Sequence, residues 1–396
     1  MKAKAPWLAT LATCAIALSG CSTPTKITAD PSAPTYGKIR ISTGISEETA
    51  LIATIYSQAL QEAGYTTELV DTGTDRAGYL KAMEQEQTPE PTPENNEDIP
   101  YNDPSTVDIT PDYSGNLLLY LTNDGKFSPA YIQQERQKIS EENPNAMYTY
   151  GWGENDQAAG EESVPTAQEY DPNLDQLTPQ NNETPSQSTP TPTPTPTGLN
   201  AKGLSDNEII NAIKQVLPFG LSTLKPASAQ NRDALVITKA TAAKYQLKSL
   251  ADIAQHCKEL TLGAPESFKH RSYGLQALER YYHCVPKNFR PINSQEKLSE
   301  ELASDNVHIA DIFSASATIE DNAYTVLEDP AGIFISQQIV PIVRAEELPQ
   351  SAREAIDSVS SRLSSTDLTE FNRLTSGQGA ISNEDVAKFW LKTSRE

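Results

Sequence analysis

From residue 38 to residue 111 the chain alternates strand-like and helix-like segments. KIRIST at 38–43 reads as a strand. The following SEETALIATIYSQALQEAGY reads as a helix. Ser46 is its N-cap, and Glu47 and Glu48 sit in the first turn, where the helix dipole favours acids. Leu51, Ile52, Ile55, Tyr56, Ala59, Leu60 and Ala63 form one apolar face, and Gly64 ends it. A strand at 66–72, a helix DRAGYLKAMEQ and a strand TVDITP complete a β-α-β-α-β unit, one half of an open α/β sheet. The alternation resumes after residue 203 with the helix SDNEIINAIKQVLP, N-capped by Ser205 and followed by strand ALVITK at 234–239. Further units are the strand at 260–265, helix GLQALERYYH, strand FRPIN, helix SQEKLSEELASD, and strands VHIADIFSA, YTVLED and QIVPIVR. Residues 346–396 read as helical. Two groups of αβ units with a helical end predict two α/β lobes.

Two tracts break the pattern. Residues 86–105 are rich in proline and acids, and residues 141–200 end in STPTPTPTPTG. Only 37% of the chain is hydrophobic and it has 28 prolines, so part of it must lie outside any core. Both tracts are expected to be disordered surface insertions, the Thr-Pro run extended and solvated. Trp152 is the centre of an aromatic island within the second. A tolerated loop expansion is the favoured reading over a spacer, a glycosylated arm or a partner-binding tail. The net charge of −22 excludes nucleic acid as a partner and argues against adhesion to an anionic membrane through surface charge.

The first 21 residues read as a signal: Lys2 and Lys4, a short apolar run at 7–18, then Leu18-Ser19-Gly20-Cys21. That ending resembles a bacterial lipobox. The resemblance implies cleavage before Cys21, acylation of that residue, and a polar tether over 22–37 holding the chain at the extracytoplasmic face of the cell membrane. Cys257 and Cys284 then remain, and an exported pair reads as a disulfide. His256 and His283 precede them, so a zinc site is a second reading and free thiols a third. Adjacent ligands have awkward geometry for zinc.

VDITPDYSGNLLLYLT at 107–122 reads as strand, turn and helix, the turn at 111–116 presenting Tyr113. Its order relative to ELVDTGTDRAGYLKAMEQ, DALVITKATAAKYQLKSLADIA, LTLGAPESFKHRSYGLQALERYY, VHIADIFSASATI and VLEDPAGIFISQQIVPIVR resembles the substrate-binding lipoproteins of osmoprotectant ABC transporters. The resemblance runs from about residue 38 to residue 396. It implies a two-lobe fold of the type II periplasmic-binding-protein kind with two crossover strands, near ALVITK and YTVLED. Lobe I would hold about 38–233 and 321–396, and lobe II about 234–320, with both cysteines in lobe II. It further implies a monomeric receptor that captures glycine betaine, choline or a similar quaternary amine in the cleft and delivers it to an ABC permease and its ATPase.

A quaternary ammonium has no N–H to donate, so aromatic faces must hold it, and a betaine carboxylate needs Arg or N–H donors. The resemblance assigns Tyr113 and Phe313 to the cage, Asn116 to the turn's last position, and Arg271, with Phe268 before it, to carboxylate binding or to a lobe-to-lobe clasp. The chain departs from the family at two other cage positions. ASAQNRDALV carries no tyrosine, and FISQQ places Gln337 where a tyrosine would stand. So lean a cage leaves room for a different or more polar amine than glycine betaine. Receptor for another small solute, or an envelope scaffold or adhesin, are the alternative readings. No GxSxG, HExxH or CxxC occurs, so neither an enzyme nor a cofactor is expected.

Overall fold

The computed structural model describes residues 37–84, 106–142, 198–344, 347–377 and 379–395. The signal, Cys21, the tether, the tract 86–105 and most of the tract 141–200, Trp152 included, lie outside the described residues. The second tract is shorter at both ends than expected. A helix reaches Glu142, and residues 198–200 pack on the core through Leu199.

In chain order the elements of the first lobe are β1 (Ile39–Ser42), α1 (Glu47–Glu62), β2 (Thr67–Val70), α2 (Arg76–Glu84), β3 (Ile109–Tyr113), α3 (Ser114–Leu121), α4 (Pro129–Glu142), α5 (Asp206–Val216) and β4 (Leu221–Thr223). The chain then crosses to β5 (Leu235–Ile237), α6 (Lys239–Tyr245), β6 (Thr261–Ala264), α7 (Leu275–Tyr282), β7 (Asn288–Pro291), α8 (Gln295–Ala303), β8 (Ile309–Asp311), α9 (Ala317–Asp321) and β9 (Thr325–Val326). It returns through β10 (Ile339–Arg344) and ends in α10 (Gln350–Ser360), α11 (Ser365–Thr375) and α12 (Asn383–Thr393). Two mixed sheets result, ordered β2-β1-β3-β10-β4 and β7-β6-β8-β5-β9. The chain is α/β with two lobes.

Ser46 and Ser205 cap α1 and α5 as the sequence predicts, each within a capping box. The apolar face of α1 packs on α10 and α12. There Phe371 and Trp390 meet edge to face at 6.0 Å, and the Trp390 indole N–H donates to Asp367 at 2.9 Å. On the opposite face of the first sheet, α3 packs against α5.

The crossings run side by side. Gln230 of the outward segment bridges Gln338 of the return, and the Ala227 and Asn231 N–H groups donate to the Ile339 and Gln337 carbonyls. ALVITK and YTVLED are themselves paired strands of the second sheet, β5 against β9. That sheet therefore extends past residue 320, the limit expected for lobe II, and the return crossing is 327–338. Cys257 and Cys284 are bonded within this lobe, their Cα atoms 5.3 Å apart, between the turn before β6 and the end of α7.

Candidate functional site

The predicted turn at 111–116 is absent. β3 continues through Tyr113 because β10 pairs with it antiparallel up to Ile339↔Tyr113, and α3 begins at the next residue. The close fit needs glycine: a Cβ on Gly115 would stand 2.3 Å from the Ser336 carbonyl oxygen of the return crossing. Tyr113 is thus fixed at the carboxyl end of a central strand, the end where open α/β sheets bind ligands.

Beneath it lies a charged support. Asp112 is fully buried and accepts from Arg76 Nε at 2.9 Å and Nη2 at 2.7 Å, from the Tyr79 hydroxyl at 2.5 Å, and from the Tyr113 N–H at 2.6 Å. Beside it, the half-buried Tyr113 turns its hydroxyl inward and donates to Glu48 Oε1 at 2.6 Å. Asn231 Nδ2 donates to both Glu48 oxygens at 3.2 and 3.0 Å, and Asn372 Nδ2 to Oε2 at 2.8 Å. Burial pushes the Glu48 carboxyl up, against the pull of those three donors. Burial and then the Glu48 charge push the Tyr113 phenol well up, so it remains a neutral donor. The network reaches the second lobe at Ala315, whose N–H donates to Asn231 Oδ1 at 2.9 Å and whose carbonyl accepts from Asn372 at 3.0 Å. A tyrosine face backed by a carboxylate is suited to a cation.

Gln337 lies on the return crossing, two residues before the Ile339 that pairs with Tyr113. It is 1% exposed, and its Oε1 accepts the Asn116 N–H at 2.9 Å, tying the first turn of α3 to the return crossing. Phe313 follows the end of β8 and is 38% exposed, its N–H donating to Gln295 Oε1 at 2.9 Å. Phe268, by contrast, is 2% exposed and packs edge-on against Tyr273 at 6.4 Å, while Tyr273 meets Phe334 of the return crossing at 6.2 Å. Tyr273 therefore stands at the lobe seam, with Phe268 behind it in the lobe II core.

Arg271 is half-buried and lies within the field of Asp124, on the loop after α3, and of Asp233, on the outward crossing. Asp124 is also held by Ser272. A lobe II guanidinium thus stands near an acid of lobe I and one of the crossing. A cavity of about 180 Å³ opens at the same seam, lined by Leu119, Ala201 and Ile335 on one side and Tyr273, Ala277 and Tyr281 on the other.

Asp233 and Asp311 form a buried carboxyl pair, 9% and 1% exposed. Burial and then the Asp233 charge push the Asp311 carboxyl well above the usual aspartate range. Burial raises Asp233 too, against the opposing pull of its own backbone, Arg271 and Tyr273. The folded chain thus holds the pair's protons more tightly than the unfolded chain. The pair's contribution to stability is complete below the ordinary aspartate value and is lost as pH rises towards the raised one. Asp311→Asn keeps a donor facing Asp233 without ionising. Its melting temperature should fall less than that of the native chain as pH rises above the ordinary aspartate value of about 4. Parallel falls in the two proteins would dismiss the pair as the cause.

Glu48, Asn231, Asn372, Tyr273 and the Asp112–Arg76 pair were not singled out from the sequence. Glu48 was read only as an acid favoured by the helix dipole. Among the described residues no group of three or more His, Cys, Asp or Glu is placed to hold a metal, and no helix is long and apolar enough to cross a membrane.

The family model for the substrate-binding domain of ABC-type glycine betaine transport systems matches residues 106–393. A Helicobacter pylori (strain G27) protein, the ergothioneine transport permease/ergothioneine binding protein EgtU, is 25% identical over 146 residues, 36% of this chain and 26% of that protein. The match therefore spans about a quarter of the relative's own length. A crystal structure of a glycine betaine/carnitine/choline ABC transporter superposes with a TM-score of 0.55 at 15% identity, over 90% of this chain and 98% of that one. Apo YehZ from Escherichia coli gives 0.49 at 17% identity, over 90% and 98%. The likeness to the first structure shows a shared fold.

Proposed function

We propose, from the premise that the chain belongs to the family of substrate-binding domains of ABC-type glycine betaine transport systems, that its ligand is a small quaternary betaine held at Tyr113. Members of this family are solute receptors of ABC importers and not enzymes. The observation that carries the finer reading is the partly exposed Tyr113 ring at the carboxyl end of β3, its hydroxyl donating to Glu48. A ring in that position offers its negative face, and the carboxylate behind it adds attraction for a cation that cannot donate a hydrogen bond. Phe313 supplies a second face from the other lobe, and closure of the lobes brings the two together. Ergothioneine, named for the Helicobacter relative, shares the quaternary ammonium and the carboxylate of glycine betaine, so it belongs among the ligands to be tried.

The test is a thermal-shift and calorimetric screen of glycine betaine, proline betaine, choline, carnitine, ectoine and ergothioneine. A ligand at a hundred times its Kd stabilises the folded chain by about 2.7 kcal/mol, which a melting curve resolves. A shift with at least one quaternary amine is expected. Six flat curves would sink the reading.

The lipobox-like Leu18-Ser19-Gly20-Cys21 supports a receptor tethered by acylated Cys21 at the extracytoplasmic membrane face, working as a monomer with a permease and its ATPase. Cys21→Ser should then shift the chain from the membrane fraction to the soluble fraction. Unchanged partition would remove the anchor from the proposal.

A further inference from the structure

Two polar atoms beside Tyr113 are buried and unpartnered: Asn116 Oδ1 and Gln337 Nε2. Gln337 is 1% exposed, its Oε1 takes the Asn116 N–H, and its carbonyl takes the Asn231 N–H at 3.1 Å. A buried donor and a buried acceptor left unmade are each costly, so the persistence of both calls for a partner.

Their placement indicates where that partner sits. Asn116 lies three residues before Leu119 on α3, so the two share a helical face. Gln337 lies two residues after Ile335 on the return crossing. Ile335 reaches the first turn of α3 as Gln337 does: a Cβ on Gly115 would stand 2.8 Å from the Ile335 side chain, next to the Asn116 N–H that Gln337 accepts. Leu119 and Ile335 both line the interlobe cavity of about 180 Å³. The intervening Ser336 points the other way, donating to Asp206 Oδ1 at 2.5 Å.

We infer that Asn116 Oδ1 and Gln337 Nε2 form a polar subsite that selects betaines carrying a neutral group able both to donate and to accept a hydrogen bond. A hydroxyl or an imidazole ring meets that requirement, and a plain alkyl betaine does not. The inference rests on the betaine reading of the Tyr113 site and adds to it the ligand's third group. It also accounts for the glutamine where a cage aromatic would stand: one ring face is exchanged for a directional contact. A site built to hydrogen-bond a ligand group discriminates strongly against the analogue lacking it, because its own polar atoms are then left unpaired.

Two matched ligand pairs test the subsite by calorimetry on the full chain: carnitine with γ-butyrobetaine, which lacks only the hydroxyl, and histidine betaine with phenylalanine betaine. In the native protein the hydroxyl- or imidazole-bearing member of at least one pair should bind tenfold or more tightly than its partner. Gln337→Glu keeps the acceptor for the Asn116 N–H but removes the Nε2 donor. Asn116→Ala removes the acceptor. Both variants should lose that preference, read as the ratio of the two affinities within the pair, which should fall to within about threefold of one. Equal binding within both pairs in the native protein assigns the two atoms to solvent and overturns the subsite, leaving the betaine reading intact. An equal loss for both members of the preferred pair in Gln337→Glu makes the residue structural and also overturns it. Absence of binding by all four ligands overturns the subsite and the betaine reading together.

Discussion

Tyr113→Ala should weaken binding of any quaternary betaine by about thirtyfold or more. A desolvated cation on an aromatic face is worth about 2 kcal/mol, and each 1.4 kcal/mol is tenfold in affinity. The same substitution should also lower the melting temperature of the unliganded chain. The tyrosine hydroxyl is one of three side-chain donors on the buried Glu48, and a hydrogen bond to a charged group contributes about 1.5–3 kcal/mol. Tyr113→Phe separates the two effects. It keeps the ring face and removes the donor, so it should share the stability loss yet bind within about threefold of native. Calorimetric titration of both variants beside their melting curves gives the answer. A phenylalanine variant that binds as poorly as the alanine variant would falsify the cation–π reading, because the hydroxyl and not the face would then carry recognition.

The tyrosine's double role shows which parts of the site were legible. Alternation of period placed almost every element, since burying one face of a strand or helix leaves a direct trace in the order of apolar residues. Ser46 and Ser205 were found as caps because a cap is a local hydrogen bond between residues three apart. Tyr113 and Gln337 came from the resemblance, and they lie at the end of β3 and on the adjoining return crossing. Other links join residues far apart in the chain. Glu48 meets Asn231 and Asn372 only because the crossings bring α1, the outward segment and α11 to one point. No spacing along the sequence announces such a meeting. The missing turn has the same origin: PDYSG has turn chemistry locally, but β10 supplies a ladder partner that keeps the segment extended. Phe268 and Tyr273 illustrate the limit of aromatic counting. Both belong to the same stretch before α7, and only packing decides which one meets the return crossing at the seam.

Arg76→Ala should be among the most damaging single changes to the first lobe, at about 3–5 kcal/mol. Asp112 is fully buried, and Arg76 is its only countercharge among the described hydrogen-bond partners, bound through two nitrogens at 2.9 and 2.7 Å. Removing one member of a buried pair strands the other in a medium that solvates it poorly. Tyr79 and the Tyr113 N–H remain as neutral donors and recover only part of that cost. For a lobe of this size the loss corresponds to a fall of about 10 °C in melting temperature. The argument is specific to the stranded charge, so it makes a second demand. Adding Asp112→Asn to an Arg76→Leu background removes the charge together with its partner and should recover more than half of the loss, since replacing a whole buried pair is often nearly neutral. Additive losses in the double variant would show that the pair matters through shape alone. Ligand binding gives an independent readout. The Tyr113 N–H is anchored on the same carboxylate at 2.6 Å. Arg76→Ala should therefore loosen the tyrosine and weaken betaine binding even below the melting transition, whereas the neutral double variant should bind more nearly as the native chain does.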